Sequence, residues 1–185
     1  HGCSSILADL LAVNCGEYVV TEAGFGADLG FEKFMDIKVR QGGPEPSAAV
    51  VVTTIRGLKW HGGVAMKDMA TPDPEAVRRG TGNLKNALNI VGMYGLPAVV
   101  AINRFPDDSP EEVAIAREAA IAAGAVGVAE AKGFAEGGDG MTKLAAAVVE
   151  AADRPSDVQL LYNDDVSFFD KVEHMAKSLY LAGDV

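Results

Sequence analysis

Short apolar runs rich in valine alternate with segments of helical periodicity along this chain of 185 residues. The clearest strand-like runs are Tyr18–Glu22, Val50–Thr54 and Ala98–Ile102, with weaker candidates at Ala125–Ala129 and Val158–Tyr162. Short runs of this kind, almost free of charge, are typical of buried parallel strands. Their alternation with helices predicts an α/β fold, in which a mostly parallel sheet carries helices on both faces.

Helix boundaries are marked by capping residues. Asp73 followed by proline predicts the start of one helix, which we expect Gly80 and Gly82 to interrupt and Gly95 to end. Ser109–Glu112 reads as a capping box with proline inside it, so a second helix begins there and runs towards Gly124.

Composition narrows the class of partner. A formal charge of −10 makes nucleic acid an unfavourable partner, and the apolar runs are too short to cross a membrane. Cys3 and Cys15 form neither a disulfide framework nor a metal spacing, and the three histidines are far apart in sequence. We therefore expect a cytoplasmic protein without a metal site of its own.

Three loops of unusual composition follow predicted strands, at Ala23–Gly30, Arg104–Ser109 and Lys132–Gly140. Ligands of parallel sheets bind beyond the carboxyl ends of the strands. The glycines of the first loop suit either a tight turn or a loose dinucleotide fingerprint, in which Arg56 would meet the 2′-phosphate of NADP. In the other two, Phe105 and Phe134 either sandwich a planar ring or pack into separate apolar patches.

Several segments together resemble formate–tetrahydrofolate ligase in order and spacing, and the resemblance covers essentially the whole chain. The run Thr21–Gly30 (TEAGFGADLG) is highly specific for that family. The other matching segments are His1–Ser5, Tyr18–Val20, Glu32–Phe34, Asp36–Lys38, Arg40, Leu58–Lys59, His61–Gly63, Asn83–Leu84 and Gly95–Pro106.

The resemblance implies a partial P-loop NTPase-like fold and an ATP-dependent ligation of formate to tetrahydrofolate through formyl phosphate. It implies ATP, Mg²⁺ and tetrahydrofolate as ligands of the complete enzyme, and it identifies no catalytic residue. It also implies that residues 1–85 belong to a nucleotide and formyl-phosphate domain and residues 86–185 to an α/β domain with the ring-stacking loops. The substrate-binding residues that it implies are Glu22, Gly24, Phe25, Gly26, Asp28, Phe105, Pro106, Phe134, Gly137 and Gly138.

The chain also departs from the family pattern. It contains no Gly-Lys-Ser/Thr phosphate loop, which we expect in an N-terminal portion of the polypeptide or in a companion chain. Phe134 takes the place of a tryptophan and Glu136 that of a lysine, and the other departures are Phe31, Val39 and Ala87. The isolated chain is expected to be inactive and the complete enzyme to self-associate. The alternative is a non-catalytic folate-binding, nucleotide-binding or interaction module derived from the ligase.

Overall fold

The computed structural model describes residues 3–184, so His1, Gly2 and Val185 lie outside the described part. The described residues form three strands, seven α-helices, two π-helical segments and two 3₁₀ turns. The strands are β1 (Ala49–Thr53), β2 (Ala98–Asn103) and β3 (Gly127–Ala131). The α-helices are α1 (Ile6–Val13), α2 (Ile55–His61), α3 (Pro74–Met93), α4 (Pro110–Ala122), α5 (Gly133–Glu136), α6 (Thr142–Ala152) and α7 (Phe168–Leu179). Two π-helical segments lie at Gly26–Phe31 and Phe34–Val39, and two 3₁₀ turns at Met66–Asp68 and Asp139–Met141.

The chain divides into two compact units. Unit 1 comprises the residues up to Pro46, Met93–Gly95 and the residues from Asp157 onward, and unit 2 comprises Ser47–Gly92 and Leu96–Ser156. Residue 85 lies inside α3, so the compact units divide elsewhere than at the predicted boundary. The functional assignment of residues 1–85 and 86–185 stays a prediction.

The sheet lies in unit 2 and confirms the α/β prediction. Its strands are parallel in the order β1-β2-β3, with Val50 aligned to Val99 and Val99 aligned to Gly127. The central strand β2 is buried from Ala98 to Ile102, as a strand covered on both faces should be. The predicted strands at 50–54 and 98–102 are therefore confirmed.

Helices cover both faces of this sheet. On one face α6 packs against β2 and β3 around a cluster formed by Val99, Ala101, Ala129, Ala131, Leu144 and Ala151. On the opposite face α4 contacts β2 and β3, and Arg117 donates a hydrogen bond to the Val128 carbonyl at 2.7 Å. On the α6 side of β1, Val50 and Val52 stay 42% and 66% exposed, so the described residues leave this part of the sheet uncovered.

Helix α3 runs without a break through Gly80 and Gly82, so the predicted interruption is wrong. The reason is tertiary: a Cβ on Gly80 would stand 1.8 Å from the Leu58 carbonyl oxygen, and one on Gly62 would stand 2.0 Å from that of Ala76. Gly62 and Gly80 thus allow α2 to approach α3 backbone to backbone. That contact explains Gly80, whereas a Cβ on Gly82 would meet no atom within 4 Å.

Tyr18–Glu22 forms no strand, so its predicted place in the sheet is wrong. A strand needs a hydrogen-bonded neighbour, and no described segment pairs with this run, in which Val20 is 92% exposed. The weaker candidate at 125–129 is shifted to β3, and the one at 158–162 is not a strand. No helix between residues 3 and 184 has the length and hydropathy needed to cross a bilayer.

Candidate functional site

In unit 1, the Thr21–Gly30 segment contains a sharp turn that leads into the first π-helical segment, Gly26–Phe31. Gly24 and Gly26 adopt φ of 91° and 73°, which side chains other than glycine rarely tolerate. A Cβ on Gly30 would lie 2.4 Å from the Gly24 carbonyl carbon, so the turn folds tightly on itself. The turn leaves Phe25 95% exposed, and Glu22 is exposed as well.

A buried polar network in the same unit is centred on Asp36, a residue of the second π-helical segment. The Tyr94 hydroxyl donates to Asp36 Oδ2 at 2.6 Å, and Arg40 pairs with Asp36 Oδ1 at 3.0 Å. Burial, then the nearby Asp36 and Asp28 carboxylates, raises the pKa of Glu32 above its ordinary value. All hydrogen-bonding atoms of the Asp36 carboxylate are engaged within the protein, so this network serves to hold the segment in place.

In unit 2, the loop that follows β2 is fixed by its own carboxylate. The Asp108 side chain is buried, and its Oδ2 accepts a hydrogen bond from the Phe105 backbone N–H at 2.8 Å. Burial raises the pKa of Asp108 and outweighs the Phe105 N–H and the Arg104 charge, which oppose the rise. Arg104 donates to Glu130 Oε2 at 2.7 Å and so ties the start of the loop to β3.

Arg56, in the first turn of α2, reaches the same loop. Its guanidinium carbon lies 4.3 Å from the centroid of the Phe105 ring, within the range of a cation–π contact. Its Nη2 also donates to both oxygens of Asp107, at 2.7 and 2.9 Å. The hydrogen bond from Arg56 holds the pKa of Asp107 below its ordinary value.

A buried ion pair supports the far end of this loop. Lys59 Nζ lies 3.1 Å from Glu112 Oε1, and both side chains are almost fully buried. The Glu112 carboxylate also accepts hydrogen bonds from the backbone N–H groups of Asp73 and Ser109, each at 2.9 Å. Burial alone opposes ionisation of Glu112, but the two N–H groups, the Ser109 hydroxyl and Lys59 together hold its pKa below the ordinary value.

The loop that follows β3 is built with backbone contacts. It contains the short helix α5, and Gly137 ends that helix with φ of 59°. Lys132 N–H donates to the Gly140 carbonyl at 3.1 Å, and the ion pair between Lys132 and Glu136 is long, at 3.8 Å. Phe134 is fully exposed, and Gly137 and Gly138 are exposed.

The parallel pairing of β2 and β3 brings the two predicted stacking loops to the same edge of the sheet. Phe105 and Pro106 lie just beyond the end of β2 at Asn103, and Phe134 lies just beyond the end of β3 at Ala131. Full exposure of Phe134 excludes its packing into an apolar patch of the described chain, the alternative interpretation for that ring. A sandwich of one ligand ring between both aromatics stays a prediction.

The structure does not support a dinucleotide-binding role for the glycines of the Thr21–Gly30 segment. A fingerprint glycine loop must follow a strand and open an α-helix, whereas Gly24 follows unpaired chain and leads into a π-helical segment. Arg56, the residue expected to meet a 2′-phosphate, is engaged by Asp107 and Phe105.

The buried partners of the Phe105 loop, Lys59 and Glu112, were not predicted from the sequence. Lys59 lies one turn after Ile55 on the face of α2 that also buries Leu58, and this spacing was the available signal for a buried lysine. Glu112 was predicted only as part of the capping box at Ser109, which is confirmed. Its buried ion pair with Lys59 was not predicted.

Aromatic residues that follow neighbouring parallel strands are an arrangement typical of α/β proteins that bind small molecules beyond the carboxyl ends of their strands. The family model for formate–tetrahydrofolate ligase matches residues 1–185, and the chain therefore belongs to the formate–tetrahydrofolate ligase family. This result confirms the resemblance recognised in the sequence.

Curated relatives extend this finding. The formate–tetrahydrofolate ligase of Desulforamulus reducens is 46% identical over 193 residues, which cover 100% of this chain and 34% of the relative. The ligase of Symbiobacterium thermophilum is 48% identical over 100% of this chain, and that of a Sphingobium species is 50% identical over 98% of it. The match covers 33% of each of the latter two, so the chain spans about a third of the length of these relatives.

Proposed function

We propose that this chain is part of an ATP-dependent ligase that joins formate to tetrahydrofolate. Membership of the ligase family supports the proposal. In the first step a formate oxygen bonds to the γ-phosphorus of ATP as ADP leaves, giving formyl phosphate. In the second, N10 of tetrahydrofolate bonds to the formyl carbon, phosphate leaves, and N10 loses its proton.

In this proposal unit 2 supplies the surface that receives a planar ring, either the pterin or the adenine. The observation that carries it is the placement of Phe105 and the fully exposed Phe134 after neighbouring parallel strands. An exposed aromatic ring loses contact with water when a flat ligand covers it, and stacking adds about 0.5–1.5 kcal/mol beyond burial. Pro106 follows Phe105 directly, and Gly137 and Gly138, which lack side chains, leave room beside the Phe134 loop for a ligand.

The Thr21–Gly30 segment of unit 1 has a separate role in this proposal. Glu22, Gly24, Phe25, Gly26 and Asp28 are proposed to contact tetrahydrofolate or formyl phosphate. The exposure of Phe25, at 95%, and the open backbone at Gly24 and Gly26 support a ligand contact there.

The residues of this chain do not fit the phosphates of ATP or Mg²⁺ by themselves. The sequence has no Gly-Lys-Ser/Thr loop, and residues 3–184 contain no cluster of acids, histidines or cysteines suited to a metal. We therefore assign both groups to a further portion of the ligase or to a companion chain, and we expect the 185 residues alone to be inactive. Self-association and a cytoplasmic location stay predictions.

The test uses Phe105→Ala and Phe134→Ala in the complete ligase, with tetrahydrofolate and ATP titrated separately. Losing one stacking face should weaken binding of the stacked ligand by roughly two- to twelvefold. Because Phe134 is fully exposed, its truncation should leave the unfolding midpoint unchanged. Phe169→Ala, which truncates another exposed aromatic in α7, is the matched control and should leave both affinities unchanged. Unchanged affinity for both ligands in both loop variants contradicts the proposal.

The alternative is a non-catalytic binding module that keeps the ligase fold. The acidic Glu136, which stands where the resemblance implies a lysine, is the observation that favours it. An assay for 10-formyltetrahydrofolate with the complete native protein separates the two functions. Turnover excludes the alternative, and ligand binding without turnover favours it.

A further inference from the structure

One ring face of Phe105 is already covered by the protein. The Arg56 guanidinium lies over that face, 4.3 Å from the ring centroid. A ligand ring can therefore stack only on the opposite face of Phe105. Any sandwich formed with Phe134 must use that remaining face.

The same guanidinium restrains the backbone on the far side of Pro106. Its two hydrogen bonds to Asp107, at 2.7 and 2.9 Å, fix a residue two positions after Phe105. Arg56 itself is held by the start of α2, where the Thr54 hydroxyl caps the helix by accepting from the Gly57 N–H at 2.9 Å. The arginine thus connects a rigid helix start to both the ring and the backbone of the loop.

We propose that Arg56 is the positioning residue for Phe105: it fills one face of the ring and, through Asp107, directs the other face to the ligand ring. The inference rests on the proposed function, because it concerns the same stacking surface. It assigns Arg56 no contact with substrate, and its effect on binding passes through Phe105 alone. Arginine suits this role better than lysine because its planar guanidinium can stack and form two hydrogen bonds at once.

A double-mutant cycle in the complete ligase tests this route. The variants are Arg56→Gln, Phe105→Ala and their combination, each titrated with tetrahydrofolate and with ATP. For the ligand that Phe105→Ala weakens, Arg56→Gln should weaken binding by roughly two- to fivefold. In the Phe105→Ala background the Arg56 substitution should have no further effect, because its route is already lost.

Two more variants separate positioning from a general loss of charge or stability. Arg78→Gln makes the same charge change at an exposed arginine of unit 2, paired with Glu75 at 3.4 Å, and should leave both affinities unchanged. Arg56→Lys keeps the charge but loses the planar stack, so it should bind as poorly as Arg56→Gln. Full rescue by lysine contradicts the proposal.

The outcomes distinguish this inference from the proposed function. If Phe105→Ala changes neither affinity, the stacking role of Phe105 fails and the inference fails with it. If Phe105→Ala weakens binding but Arg56→Gln has no effect, or an equal effect in both backgrounds, the inference alone is overturned. Should Arg56→Gln not fold, the same cycle with Asp107→Asn gives the decision, and an additive or absent effect there overturns the proposal.

Discussion

The loops after β2 and β3 leave the same edge of one sheet but are held in different ways. The loop after β2 is fixed by charged side chains, with Asp108 on its backbone, Arg56 on its ring and Glu112 at its end. The loop after β3 is held mainly by backbone hydrogen bonds and displays Phe134 fully to solvent.

In the proposed site, this difference would separate a preorganised stacking surface from an adaptable one. Phe105 is held by contacts within the protein, so little ordering cost would remain when a ring binds. Phe134 is fully exposed, so the ligand itself would have to order its ring.

The largest expected effect concerns the buried Lys59–Glu112 ion pair, which supports the loop after β2. Lys59→Met leaves the buried Glu112 carboxylate without its cation, and breaking a buried pair typically costs about 3–5 kcal/mol of unfolding free energy. Urea unfolding of the complete protein measures the loss. Glu150→Gln breaks the exposed Arg154–Glu150 pair, at 3.0 Å, and should cost under about 1 kcal/mol. Equal losses of unfolding free energy in both variants would contradict a particular role of the Lys59–Glu112 pair in supporting the loop after β2.

The second prediction compares two glycines of the Phe134 loop. A Cβ on Gly140 would stand 2.7 Å from the Lys132 carbonyl oxygen, whereas one on Gly138 would meet no atom within 4 Å. Gly140→Ala should therefore destabilise the protein by about 1–3 kcal/mol. Gly138→Ala should leave it unchanged or stabilise it by about 0.4–1 kcal/mol, because the unfolded chain loses freedom. Thermal unfolding of both variants is the measurement, and a reversed order would contradict the geometry of this loop.

The smallest effect is a pair of opposite pH dependences in the Phe105 loop. Asp107 has a lowered pKa, so its stabilisation is present above the unfolded pKa of about 3.9 and is lost as pH falls through the folded pKa. Asp108 has a raised pKa, so stability is gained as pH falls through that value. Asp107→Asn should thus make the acid loss of stability shallower, and Asp108→Asn should make it steeper. Unfolding free energies measured from about pH 3 to pH 7 test both signs, and parallel curves for the two variants would refute the assignment.

Local sequence signals predicted the local structure well. The capping box at Ser109 and the helix start at Asp73 are both confirmed. They could be predicted because their hydrogen bonds join residues three apart in sequence. Strand pairing is not local, and Tyr18–Glu22 failed as a strand since no described segment pairs with it. The predicted helix break at Gly80 was wrong because this glycine is needed for close contact with another helix, at Leu58 of α2.

The same distinction between local and long-range contacts applies to the candidate site. The positions of Phe105 and Phe134 at one edge of the sheet follow from the strand pattern and were predicted. The contact of Arg56 with Asp107 joins residues 51 apart, and no sequence pattern announces such a pairing. The exposure of each ring also depends on the packed structure, so the contrast between the two loops could not be predicted.

The uncovered side of β1 has a practical consequence for handling the 185-residue chain. Within residues 3–184, β1 pairs only with β2, and its Val50 and Val52 are partly exposed, at 42% and 66%. An unpaired strand edge beside exposed valines is a template for joining a second chain, and such edges promote aggregation. The net charge of −10 opposes this approach, but salt screens the repulsion. Dilute solutions of low ionic strength are therefore the conditions that keep the purified chain dispersed.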